Sequence, residues 1–143
     1  MTVYLPLELP RVVNDTLRIV NVRSEGSWIE GPRIKARAIP PSGDWIRVMP
    51  GGQVRLDARL TLQTEDNELI YMSFGGVLVQ TKDIIDRLMK GETMKAGEYH
   101  HLTVPTFETK SDKYAWLNGI QVVGKMVSVK RGDHVKYDVF MVR

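Results

Sequence analysis

Val54-Arg55-Leu56-Asp57-Ala58-Arg59-Leu60-Thr61-Leu62-Gln63 alternates apolar and polar residues without a break. A period of two is the signature of a β-strand with one apolar and one polar face. The polar face carries Arg55, Asp57 and Arg59 in succession. A charged triplet at that spacing is a solvated rim, an ion-pair ladder or the polar wall of a pocket, and only the last implies chemistry.

Outward from this strand, turn signals recur at Ser24-Glu25-Gly26, Pro40-Pro41-Ser42-Gly43-Asp44, Pro50-Gly51-Gly52, Glu65-Asp66-Asn67, Ser111-Asp112-Lys113 and Arg131-Gly132-Asp133. The segments between them are β-rich, and we expect strands over residues 3–9, 16–23, 33–39, 45–49, 54–63, 69–74, 99–107, 115–129 and 134–142. Strands at this spacing predict an all-β fold, an antiparallel β-barrel of about eight to ten strands forming one domain over residues 1–143. One segment departs from it. Residues 81–91 read as a short helix, with Thr81 as N-cap, Asp83 in the first turn, Lys90 in the last and Gly91 as the stop. Its apolar stripe, Ile84, Ile85, Leu88 and Met89, would plug or flank a barrel end.

A chain of 143 residues with 43% hydrophobic content is long enough to bury a core. Twenty Lys and Arg against 17 Asp and Glu leave a net charge of +3, too slight a bias to imply nucleic-acid binding. The absence of cysteine removes disulfides, thiolate nucleophiles and cysteine-ligated zinc, and fits a reducing compartment. The first residues lack a basic region followed by an apolar run, and no run approaches the roughly 20 residues of a spanning helix. A soluble, cytoplasmic protein without a membrane partner is the expectation.

Gly31-Pro32-Arg33, Gly43-Asp44-Trp45, Arg55-Leu56-Asp57-Ala58-Arg59, Thr64-Glu65-Asp66, Pro105-Thr106-Phe107-Glu108-Thr109 and Tyr114-Ala115-Trp116-Leu117-Asn118 occur in that order. In these motifs the chain resembles the family called domain of unknown function 3237, also uncharacterised protein family 0311, over nearly its whole length. The resemblance implies a closed or nearly closed antiparallel barrel, a homo-oligomer and no cofactor. It also implies a link to cyclases, lyases or isomerases that act on phenolic or enolic compounds. Where relatives tend to carry aromatic and basic residues, this chain has Tyr99-His100-His101-Leu102, so its ligand or proton chemistry is expected to differ if that segment lines the pocket.

Asp57 is the first candidate, since Arg55 and Arg59 project to its face roughly 7 Å away along the strand. Two guanidinium neighbours favour an ionised carboxylate, able to act as a general base or to orient a ligand hydroxyl. The competing reading is a plain ion-pair ladder. Tyr114, Trp116 and Asn118 fall on one face of the expected strand, a wall suited to a flat aromatic ligand or simply to core packing. Tyr71 could join either arrangement. His100 and His101 must point to opposite faces, so one at most serves a pocket, and His101 is chosen. Three or four converging ligands are needed for zinc, and none is expected here. Gly51-Gly52 and Gly75-Gly76 lack the spacing of a phosphate-binding loop.

The leading expectation is a cofactor-independent enzyme moving a proton on a small planar ligand at the barrel mouth. Asp57, Arg59, Tyr71, His101 and Tyr114 would be catalytic, and Arg55, Tyr99, Phe107, Trp116 and Asn118 would contact the ligand. A lipocalin-like carrier using the same residues competes with it. A third reading turns the charged face inward and makes Leu56, Ala58 and Leu60 an outer subunit interface.

Overall fold

A computed structural model of the chain describes residues 1–143. Its strands are β1 (Thr2–Pro6), β2 (Arg11–Val12), β3 (Leu17–Asn21), β4 (Trp28–Gly31), β5 (Ile34–Val48), β6 (Gln53–Thr64) and β7 (Leu69–Val79). After helix α1 (Lys82–Met89) come β8 (Met94–Lys95), β9 (Leu102–Glu108), β10 (Val122–Lys130) and β11 (His134–Met141). The pairing order β5-β4-β1-β11-β10-β9-β7-β6 returns to β5, which closes an eight-stranded antiparallel barrel. Closure leaves the ring without a free edge.

Along β6 the apolar side chains point inward. Val54, Leu56, Ala58, Leu60 and Leu62 are buried, whereas Arg55, Asp57 and Arg59 are exposed. This corrects the reading that turned the charged face inward: taking two guanidinium groups out of bulk water is costly and burying five apolar side chains is favourable, so the apolar face takes the interior. The core cluster of 25 buried residues draws on every strand of the ring.

The expected break at residues 40–44 is not a turn between strands. Strand β5 runs through it, with a register shift between Ile39 and Gly43 against β6. Ser42 repairs the irregularity, its hydroxyl donating to the Ile39 carbonyl at 2.7 Å and accepting the Thr61 N–H at 3.0 Å. The shift makes β5 long enough to pair with β4 through its first half and with β3 through its second. Strands β2, β4 and β8, absent from the sequence reading, have only two to four residues each, too few for an alternation to register.

The expected strand over residues 115–129 begins only at Val122. Residues Ala115–Gly119 form a 3-10 turn held by Asn118, whose amide accepts the Thr109 N–H at 2.8 Å and donates to the Thr109 carbonyl at 3.0 Å. Leu117, 1% exposed, and Tyr114 pack into the core there. At the other end lies α1, with the Thr81 hydroxyl capping the Ile84 N–H at 3.3 Å.

Candidate functional site

The barrel opens at its α1 end into a cavity of about 230 Å³. Of its 27 lining residues 19 are hydrophobic, among them Val54, Leu56, Ala58 and Leu60 from β6 and Ile85, Leu88 and Met89 from α1. The apolar stripe of α1 therefore flanks the barrel end, with Ile85, Leu88 and Met89 at the cavity, Ile84 packed against the core, and Met89 62% exposed. Few polar groups enter this apolar space: Asp44, Gln80, Tyr99, His101 and Tyr137 inside, and Glu8, Arg18 and Arg131 among the outer lining.

Asp44 lies on β5 opposite Val20 on one side and Ala58 on the other, both buried. Its side chain therefore shares their inward face. The carboxylate accepts the backbone N–H of Asp57 at 3.0 Å, which fixes its orientation. Burial raises its pKa from 3.8 to about 7; the bond from Asp57 opposes the rise and the charge of the Asp57 carboxylate adds to it. Asp44 keeps some accessible surface because the carboxyl opens into the cavity.

His101 stands beside Tyr137, with Nε2 2.8 Å from the phenol oxygen. The two rings meet edge-on at 5.3 Å, Tyr99 meets His101 edge-on at 5.5 Å, and Phe74 meets Tyr137 at 5.5 Å. Burial, with the His100 charge adding, lowers the His101 pKa to about 4, so the imidazole is neutral near pH 7. Its Nδ1 is buried without a partner. Burial also raises the Tyr137 phenol well above its ordinary value, and the Asp44 and Tyr99 charges reinforce the effect. Gln80, just before α1, donates to the Tyr99 hydroxyl at 2.8 Å. Tyr99 and Tyr137 thus remain neutral phenols in an apolar site, suited to stabilising an oxyanion.

Of the residues singled out from sequence, Tyr99 and His101 line the cavity, and His100 faces solvent. The others lie elsewhere. Asp57 pairs with Arg59 at 3.3 Å on the outer surface, their side chains more than half exposed. Arg55 and Tyr71 are on that outer face too. Tyr114 is buried, and its hydroxyl donates to Asp66 at 2.9 Å. That bond, with those from Lys113 and Thr64, holds the Asp66 carboxyl well below the usual carboxylate range, Lys113 contributing most. Trp116 stacks under the Arg33 guanidinium at 4.1 Å, and Asn118 holds the 3-10 turn. Phe107 is a core residue opposite Met72, outside the cavity lining.

Asp44, Tyr137 and Gln80 escaped the sequence reading. Asp44 closes a stretch dense in turn residues, yet it alternates in phase with Ile46 and Val48, and Tyr137 with Val135 and Val139. A lone acid in phase with an apolar strand face was the available signal.

The protein of Rhodopseudomonas palustris called UPF0311 protein is 26% identical over 117 residues, 82% of this chain and 75% of its own length. Its crystal structure, described as a conserved protein of unknown function, matches with a TM-score of 0.88 at 23% identity, over 99% of this chain and 93% of that one. The UPF0311 protein of Clostridium acetobutylicum is 30% identical over 89 residues, 62% of this chain, and the match spans little over half, 56%, of that relative's length. A structure described as an enzyme from Penicillium herquei matches with a TM-score of 0.62 at 18% identity, over 98% and 91% of the two chains. The family described as "Protein of unknown function (DUF3237)" matches residues 1–142, and the chain belongs to that family.

Proposed function

We propose that the barrel is a cofactor-independent enzyme whose interior cavity binds a small, mostly planar organic molecule and moves a proton upon it. The observation that supports this most is Asp44, a carboxyl in a largely apolar cavity with a pKa of about 7. A base is most effective when its pKa is near the working pH, and burial brings Asp44 there. Asp44 takes a proton from an activated C–H or O–H of the ligand. Charge then develops on a ligand oxygen, within reach of a neutral phenol donor, Tyr99 or Tyr137. Return of the proton to another atom gives isomerisation or ring closure, and loss of a leaving group gives elimination. His101, neutral, hydrogen-bonds Tyr137 and orients its hydroxyl. The Penicillium herquei structure that shares this fold is described as an enzyme, which is compatible with this reading and names no reaction.

The apolar lining favours a second reading, a carrier that binds the same class of molecule unchanged. Deuterium exchange separates the two. A panel of enolisable aryl ketones is incubated with the protein in heavy water and followed by NMR. Asp44 as base predicts exchange at the acidic C–H position, lost in Asp44→Asn while the ketones still bind. Exchange at the native rate in Asp44→Asn would remove Asp44 from the role, and binding without exchange across the panel would favour the carrier.

A further inference from the structure

The cavity is polar at two levels. Deep in the barrel the polar groups are Asp44, the phenols and neutral His101; the other charged lining groups are Glu8, Arg18 and Arg131. Arg18 occupies the inward row of β3 two residues before Val20, and Val20 lies directly opposite Asp44. The backbone of Arg18 is therefore about 7 Å along the strand from the level of Asp44. Its guanidinium is already oriented, Nη1 donating to the carbonyls of Asn14 at 2.6 Å and Leu17 at 3.4 Å. Nε and Nη2 have no protein acceptor, and no carboxylate pairs with Arg18 or Arg131. Arg131 reaches the lining from the β10–β11 turn, where Gly132 packs against Leu9. Glu8 opposes them with one negative charge, so the outer lining carries two positive charges against one.

We propose that the ligand of this cavity is an organic acid, its planar apolar body filling the barrel and its anionic group held at the mouth by Arg18 and Arg131. Resting on the reading of the cavity as a small-molecule site, this adds the class of molecule. Oriented guanidinium groups without a carboxylate partner recognise carboxylate through charge-assisted hydrogen bonds. Arg18 stands two strand positions nearer the mouth than Asp44, so an anionic group held at Arg18 leaves the reacting atom deeper in the barrel.

Calorimetric titration with 2-naphthoate and 2-naphthamide, which share a body and differ in charge, tests this on the full chain at pH 7 and low salt. The expected result is naphthoate binding about tenfold tighter than naphthamide. Arg18→Gln and Arg131→Gln should each weaken naphthoate binding more than naphthamide binding and so erode that preference, while Glu8→Gln should enlarge it. Equal binding of the two probes overturns the acid preference and leaves the cavity reading intact. The same preference surviving in the double Arg18→Gln/Arg131→Gln variant, or lost in Arg55→Gln on the outer face, also overturns it. Failure of both probes to bind would instead count against the cavity as a small-molecule site, and the inference would fall with it.

Discussion

The Asp44 carboxylate inside the barrel accepts the backbone N–H of Asp57, whose own side chain points outside, at 3.0 Å. Adjacent strands thus present two aspartates to opposite environments, and the amide of one orients the other. The inner acid sits where ionisation is costly, and the outer one beside Arg59 in solvent.

Because the Asp44 pKa is raised from 3.8 to about 7, the folded state holds its proton over a range in which the unfolded chain has lost it. The stabilisation is complete below pH 3.8 and is lost as pH rises to 7, on the order of 4 kcal/mol in total. Asp44→Asn keeps an oxygen to accept the Asp57 N–H and removes the titration. The variant's stability minus that of the native protein should increase between pH 4 and 7 and then level off, in urea unfolding at each pH. A difference independent of pH would show that the carboxyl is not buried against its charge.

His101 titrates with the opposite sign. Its pKa is lowered from 6.5 to about 4, so its contribution is complete above pH 6.5 and lost as pH falls through 4. Tyr137→Phe deprives Nε2 of its partner while Nδ1 already lacks one, which should cost about 1–3 kcal/mol. Adding His101→Leu removes the stranded nitrogens, so the double variant should be less destabilised than the two single costs summed. Strict additivity in the double-mutant cycle would contradict the coupling.

Gly52 adjoins the route into α1. Its φ is +77°, and it accepts the Gln80 N–H at 2.7 Å, so a methyl group there would collide with the Gln80 carbonyl. Gly51, at φ +81°, has open space around it. Gly51→Ala should cost about 1 kcal/mol from backbone strain alone, and Gly52→Ala distinctly more, with weaker naphthamide binding as α1 shifts. Equal unfolding midpoints for the two variants would show that the Gly52–Gln80 contact does not hold α1 in position.

Asp57→Asn removes an exposed ion pair and the smallest of the contributions to the Asp44 pKa. It should leave the unfolding midpoint and naphthamide affinity at native values, since surface pairs contribute little and the Asp57 backbone amide remains. Weakened binding would return attention to the outer groove of Arg47, Arg55 and Arg59.

Strand β6 was legible because ten residues alternate without exception, and α1 because Thr81 and Gly91 bracket an apolar stripe. Which face of β6 lies inside was not legible, since period two is symmetric between faces until the barrel closes. Pro40-Pro41-Ser42-Gly43 carries every turn signal, yet the chain spends them on an irregularity inside one strand, hiding Asp44. Tyr114, Trp116 and Asn118 alternate like a strand, but the two hydrogen bonds between Asn118 and Thr109 draw the segment into a turn. In both segments a contact distant in sequence outweighed the local pattern.

The most direct test is the ionisation of Asp44 itself, followed by the side-chain carboxyl carbon resonance in protein labelled with carbon-13 aspartate and assigned by comparison with Asp44→Asn. The predicted result is a midpoint near pH 7 that moves when 2-naphthamide occupies the cavity. A midpoint near pH 4, unmoved by the ligand, would make Asp44 an ordinary solvated carboxylate and contradict its role as the base.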